Sequence, residues 1–202
     1  MIGSSNNYSK VLGFDQKELS SEKMIEILFD AYCVPVDVGK IIFTSLEDKN
    51  VKLESYFINS SSFGHSPAIH PEEDENLIDV SKINTIKYRI DADEAKNSII
   101  SYFTTIQIGK YFANELEISP KSSIQDGLFD VYMSGDIKKF NFLKFKKDKI
   151  ELNKCSNFSV TSQLDSNVLI ECDGELIGKL PAKWSIIQKD IKVIVPKNWA
   201  TL

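Results

Sequence analysis

The sequence predicts a mostly-β chain: a β-sandwich with one clear N-terminal helix. Three observations predict it. Helical periodicity occurs once, between Ser20 and Pro35. After it, short apolar and β-branched runs alternate with turn residues. Finally, 202 residues at 42% hydrophobic content suffice for one good core, which fits one domain more comfortably than two.

Taken in order, Ser20-Ser21-Glu22 reads as a helix start, with a hydroxyl cap and an acid in the first turn. Met24, Ile25, Leu28, Ala31 and Tyr32 recur at helical spacing, and Pro35 is expected to end the helix. Residues 36–44 and 51–59 are apolar and flank the turn-like Leu46-Glu47-Asp48-Lys49-Asn50, which predicts a hairpin. Ile86, Tyr88 and Ile90 alternate as a half-buried strand does. Residues 98–108 form one longer β-type run. Further strands are expected at 128–133, 157–163, 167–172 and 190–195. Residues 71–76, Pro-Glu-Glu-Asp-Glu-Asn, read as an exposed acidic loop. No internal repeat or low-complexity tract is found.

Charge excludes some functions. The net charge is −5 with a pI near 5.2, unlike the basic balance of a nucleic-acid binder. It also opposes whole-surface attraction to anionic lipid, while leaving room for a local basic patch. Cys33, Cys155 and Cys172 are odd in number and far apart, so a disulfide framework or zinc site is not expected. Cys172 follows the run Val168-Leu169-Ile170 and reads as a buried small hydrophobe. The first seven residues lack a signal-peptide core, and no apolar run reaches transmembrane length. The expectation is a cytoplasmic chain that meets lipid, if at all, from the surface.

Several residues could carry chemistry. In an extended segment Asp173 and Glu175 would project to one side, with Gly174 letting backbone approach a ligand. Paired carboxylates raise each other's pKa, which suits a general base. The competing reading is an ordinary Asp-Gly turn between strands. Asp126 is either a ligand for a hard cation or a turn aspartate bonded to its own backbone. His65 and His70 lack acidic or thiol partners at ligand spacing and read as surface residues. Lys138, Lys139, Lys144, Lys146, Lys147 and Lys149 interleave with Phe140, Phe142, Leu143 and Phe145. That pattern fits either a peripheral membrane contact or a hairpin with rings in and lysines out.

Five stretches, in order, resemble the family of bacterial-type diacylglycerol kinases, sphingosine kinases and ceramide kinases. Gly3-Ser4-Ser5-Asn6-Asn7-Tyr8-Ser9-Lys10-Val11-Leu12-Gly13 is similar to the family's GTxNDFAR-xLG segment. Asp37-Val38-Gly39-Lys40 is similar to its DxG strand, and Phe57-Ile58-Asn59-Ser60-Ser61-Ser62-Phe63-Gly64 to FxNxxxxGF/G. Residues 120–130, from Pro120 through Asp126-Gly127 to Asp130, are similar to PxAxxxDGxLD. Cys172-Asp173-Gly174-Glu175, with Pro181 and Val193-Ile194-Val195-Pro196, is similar to xDGE…P…VxxP.

The resemblance implies a division at residue 35. Residues 1–35 would be the remnant of a nucleotide-binding half with its hinge helix, and 36–202 the C-terminal β-sandwich domain. It implies ATP-dependent phosphorylation of a diacylglycerol-like lipid hydroxyl. Glu175 would be the proton acceptor and Asp173 its acidic neighbour. Gly3, Ser4, Ser5 and Asn6 would be the surviving edge of the phosphate cradle; alone, they read as a polar helix cap. Asn59 and Ser62 would line the phosphate crevice or else cap their own loop. A magnesium ion at the fourth motif would use Asp126 and main-chain oxygens of Ser123 and Leu128, and Mg2+ would also assist the phosphates. The partners implied are a membrane lipid, with Lys138–Lys149 as contact, and either a separate nucleotide-binding half or a second copy. The pattern also departs from the family. The GGDGT loop does not occur, Asn7 and Lys10 replace Asp and Arg, and Phe112-Ala113-Asn114 stands for a glycine triplet. Hence two rival readings stay open. One is a non-catalytic lipid- or partner-binding sandwich derived from such a kinase; the other is an unrelated β-domain.

Overall fold

The Ser20 side chain caps its helix as the sequence predicts. Its oxygen accepts the Lys23 N–H at 3.3 Å, and Glu22 lies in the first turn of α2 (Ser21–Asp30). The computed structural model describes residues 6–14, 20–64, 86–92, 95–101, 103–112, 116–134, 150–152, 154–162 and 167–199. Within them a short α1 (Asn7–Val11) precedes α2. Pro35 does not end α2. The helix stops at Ala31, whose left-handed backbone (φ 46°) turns the chain away. Pro35 lies instead inside β1 (Cys33–Thr44), paired with Lys192. The apolar stripe of α2 also faces differently from expectation. Ile27 is buried, whereas Ile25, Leu28, Phe29 and Tyr32 are exposed.

The predicted hairpin is present: β1 pairs antiparallel with β2 (Lys52–Phe57). Next comes β3 (Ser60–Gly64), a strand hidden in the sequence by its serines. Strands β4 (Ile86–Ala92) and β5 (Ala95–Ser101) form a second hairpin. The run expected at 98–108 is two strands. Its first part belongs to β5, which pairs with β4. Its second is β6 (Phe103–Gln107), which pairs with β3 and with β9 (Asp130–Met133). A small ribbon, β7 (Tyr111–Phe112) with β8 (Leu116–Glu117), stands apart. Then come β10 (Ile150–Glu151), β11 (Asn157–Ser162), β12 (Leu169–Cys172) and β13 (Glu175–Ile194). The strand expected at 190–195 is only the end of β13. Gly178 and Pro181 interrupt its β pattern, yet pairing with neighbours on both sides carries it through.

β13 organises the sheet. One edge pairs with β1, from Ile194 opposite Cys33 to Lys179 opposite Thr44. Its other edge pairs first with β12 and then with β11. Two branches therefore leave that edge. One runs β12-β3-β6-β9-β10, the other β11-β4-β5. Phe63 from the first branch and Phe158 from the second both meet the Trp184 indole, each at 5.6 Å between ring centroids. These fully buried rings hold the branches face to face, which makes the sandwich. Phe57 and Phe129 stack nearby at 6.0 Å.

None of the three cysteines, all among the described residues, is in a disulfide; Cys155 and Cys172 are buried and Cys33 is exposed. Cys172 donates to the Ser61 Oγ at 3.3 Å. Burial pushes its thiol from 9.0 up to about 12. The folded protein thus keeps this proton when an unfolded chain would release it. The stabilising effect is complete below pH 9 and is lost as pH rises through 12. Urea denaturation across that window should show stability falling, by up to about 1.4 kcal/mol per pH unit from this group. Cys172→Ala should make the decline shallower. An equal slope in both proteins would remove Cys172 as its source.

Candidate functional site

The turn between β12 and β13 is built from two left-handed residues. Asp173 has φ 49° and Gly174 φ 91°, and Cys172 pairs directly with Glu175 across them. This is the tight hairpin that Asp-Gly favours. The segment is therefore not extended, and the strand argument for placing Asp173 and Glu175 on one side does not apply. Gly174 serves the backbone angle. A Cβ there would meet no protein atom within 4 Å, so no packing contact within the protein requires the glycine.

The two carboxylates do different things. Asp173 turns inward and grips the β2–β3 corner. Its Oδ2 accepts the Ile58 N–H at 2.8 Å. Its Oδ1 accepts the N–H groups of Asn59 at 3.0 Å and Ser60 at 2.9 Å. In return its own N–H donates to the Ser60 carbonyl at 2.9 Å. The residue is exposed because its backbone forms the hairpin tip, but its carboxyl oxygens are ringed by protein. Burial raises its pKa above the ordinary 3.8, outweighing the three N–H bonds that lower it; Glu175 adds a smaller push upward. Glu175 itself is exposed, and its side chain makes no hydrogen bond or ion pair among the described residues. Asp173 is held, while Glu175 is open to a ligand.

A second buried aspartate repeats the device. Asp37 accepts the Gly127 N–H at 2.7 Å and the Lys189 N–H at 2.9 Å, and its own N–H donates to the Ile124 carbonyl at 2.8 Å. Gly127 and Lys189 both have positive φ, at 70° and 51°. Asp37 thus ties β1 to the 124–128 loop and to an irregular point of β13. Sequence reasoning had placed Asp37 in a motif without giving it a role.

Tyr8 connects the two clamps to the start of the chain. Its hydroxyl is buried and finds no hydrogen-bond partner among the described residues. Its pKa is pushed to about 12, first by burial, then by the charges of Asp173 and Asp37. α1 therefore lies on the side of the sandwich where both aspartates act. Trp199 holds it there by donating to the Val11 carbonyl at 2.9 Å. Lys10 sits over the Tyr111 ring, 5.4 Å from its centroid. Asn6 directly precedes α1 in left-handed conformation, and its carbonyl accepts the Ser9 hydroxyl at 2.7 Å. Gly3, Ser4 and Ser5 lie outside the described residues, as do His65, His70, Ala113, Asn114 and all of Lys138–Lys149.

Behind Asp173 the sheet presents a buried polar face. Glu171, Ser62, Thr105 and Tyr132 stand in register across four strands, each at most 2% exposed. Asn59 anchors the corner: its carbonyl accepts the Ile108 and Gly109 N–H groups, and its Nδ2 donates to the Tyr111 carbonyl at 3.0 Å. The Asn59 Oδ1, Ser62 Oγ and Gln107 Oε1 are buried and find no partner among the described residues. The Glu171 position was missed in the sequence because a lone acid inside an apolar run reads as a solvent-facing residue.

In the fourth motif the Asp126 carboxylate has partners within the protein. Asp126 Oδ1 accepts the Leu128 N–H at 3.1 Å, closing its own turn. Its Oδ2 receives the Lys154 ammonium at 2.7 Å. The Ser123 hydroxyl accepts the Gln125 N–H at 3.3 Å. Among the described residues no group of three or more His, Cys, Asp or Glu side chains is placed to hold a metal. Of the Asp126, Ser123 and Leu128 set, the Asp126 carboxylate is thus already engaged, by the Leu128 N–H and the Lys154 ammonium.

Comparison with known proteins decides the family. The family model of the YegS C-terminal NAD kinase beta sandwich-like domain matches residues 73–195. The chain belongs to that family. The YegS-type sandwich is 21% identical to a diacylglycerol kinase of Bacillus subtilis (strain 168), over 98% of this chain and 69% of that protein. It superposes on the crystal structure of a diacylglycerol kinase from Bacillus anthracis str. Sterne with a TM-score of 0.69 at 15% identity, over 96% of this chain and 65% of that one. A putative diacylglycerol kinase from the same strain gives a TM-score of 0.70 at 15% identity, over 96% of this chain and 67% of that one. The YegS-type chain thus spans about two thirds of the length of these relatives.

The Asp173 clamp is open to a direct check. Asp173→Asn would set an amide NH2 against a backbone N–H in place of one acceptor. It should cost about 1–3 kcal/mol in urea denaturation. A stability within error of the parent would show that the three N–H bonds contribute nothing.

Proposed function

We propose that this chain is the acceptor side of a two-part lipid phosphotransferase acting on a diacylglycerol-like alcohol. Glu175 is its proton acceptor. One observation carries the reading: an unpaired, exposed carboxylate follows a turn that Asp173 locks to the backbone of three other residues. A general base must be accessible and sit on a positioned backbone, and the Asp173 clamp positions the turn that precedes the exposed Glu175. Family membership and relatives named as diacylglycerol kinases supply the reaction class.

ATP, held mainly by a nucleotide-binding half, supplies the phosphoryl group. On this chain, α1 would border the acceptor site beside Asp173 and Asp37. The lipid oxygen forms its new bond to the γ-phosphorus as its proton passes to the Glu175 carboxylate; the bond to the ADP oxygen breaks, and ADP leaves. Asp173 is a positioning residue here, since its oxygens are occupied by N–H groups. The segment Lys138–Lys149 would bring the crevice to the membrane surface, its lysines on anionic headgroups and its phenylalanines at the interface. A non-catalytic lipid- or partner-binding role is the second reading. Phe112 favours it: this ring is buried 5.4 Å from Phe103, at the start of the stretch where the resembling kinases carry a glycine triplet.

Two experiments test these roles. Combined with a nucleotide-binding half and assayed on diacylglycerol vesicles, Glu175→Gln should lower turnover by about 10²–10⁴-fold with an unchanged circular dichroism spectrum. Turnover at the parent rate would dismiss Glu175 as the base, and a parent with no turnover in any pairing would favour the binding module. Reversing charge at Lys146 and Lys147 to Glu should release the chain from vesicles containing anionic lipid. Unaltered partition would end the membrane role of that segment.

A further inference from the structure

The backbone at Lys154 is placed by main-chain pairing of its neighbour. Its neighbour Cys155 bridges to Phe129, with the Phe129 N–H donating to the Cys155 carbonyl at 2.7 Å and the Cys155 N–H donating back at 3.1 Å. This brings the Lys154 side chain over the 126–130 loop. Its ammonium lies 2.7 Å from Asp126 Oδ2 and 3.2 Å from Asp130 Oδ2. Asp130 is only 2% exposed, so its charge needs a counter-charge close by. The same Asp130 oxygen accepts the Ser122 hydroxyl at 2.8 Å. Ser122 bonds in turn to Ser119, and Ser119 to the Tyr132 hydroxyl at 2.8 Å. A continuous buried chain therefore runs from Tyr132 to Asp130 and ends on the Lys154 ammonium.

We infer that the Lys154 ammonium is the built-in cation of this loop, standing where a divalent metal ion would otherwise be needed to hold Asp126 and Asp130 together. Two carboxylates separated by one turn repel each other unless a positive charge lies between them. A hard divalent ion can do this with oxygen ligands. Here a tethered ammonium does it, with Leu128 N–H and Ser122 Oγ occupying further lone pairs. Burial alone would lower the Lys154 pKa, yet the two carboxylates together hold it above its ordinary value. The loop is thus ordered at any magnesium concentration. Asp37, which grips Gly127, then transmits a metal-independent geometry to β1 and β13. This holds whether or not Glu175 performs the chemistry proposed above.

Thermal unfolding of the full chain tests it without any activity assay. The melting temperature of the parent should be the same in EDTA and in magnesium or calcium chloride at matched ionic strength. Lys154→Met removes the charge and keeps the length. It should lower the melting temperature by about 5–10 °C in EDTA, and divalent cation should restore part of that loss, because two carboxylates now face each other bare. A saturable rise in parent melting temperature with magnesium, abolished by Asp126→Asn, would overturn the inference. So would a Lys154→Met protein that melts with the parent in EDTA. Should Lys154→Met fail to fold in EDTA, its rescue by calcium during refolding supports the inference, and the parent titration alone can still refute it.

Discussion

The Asp173 carboxylate is where loops far apart in the chain become one site. Three backbone N–H groups of the β2–β3 corner have no strand partner at the turn, and an unpaired buried donor is costly. Asp173 supplies two oxygens to all three. Its own backbone is fixed by a two-residue turn that only a residue tolerant of positive φ, followed by glycine, forms without strain. The position of Glu175, and the corner occupied by Asn59, both follow from that grip.

Asp37 applies the same solution elsewhere, tying the 124–128 loop to β1 and β13. Both aspartates turn their carboxyl oxygens to backbone N–H donors. Both also push up the pKa of the Tyr8 hydroxyl on α1, the helix that Trp199 bonds. The second, third, fourth and fifth sequence motifs thus have a common physical content. They are backbone corners and the carboxylates that hold them. Much of what resembles a catalytic signature is the framework that keeps one free carboxylate in place.

Much of this was legible. The Ser20 cap, the β1–β2 hairpin and the mostly-β character follow from local chemistry, so the sequence shows them. The hairpin at Asp173-Gly174 was visible as a rival to the catalytic pair, and the fold contains that turn with Glu175 free beside it. Other features were not legible. β3 is serine-rich and reads as a loop, because its partners β6 and β12 both lie far later in the chain. The 98–108 run reads as one strand, since nothing local says that Ser101 and Phe103 serve different neighbours. Asp126 reads equally as a cation ligand or a turn aspartate; the turn bond to Leu128 was legible, and the Lys154 ammonium beside it was not.

What the sequence alone determined is what short-range chemistry controls: strand content, the capped helix, the left-handed Asp-Gly turn, and the family to which five ordered motifs point. The tertiary structure decided which of these groups are spent and which are free. Asp173, Asp37 and Asp126 are alike as acids in the sequence. Only long-range pairing sets backbone N–H groups against the first two and an ammonium against the third, and leaves Glu175 open. A carboxylate's role depends on the donors that surround it, and those donors come from parts of the chain that meet only when the sandwich closes.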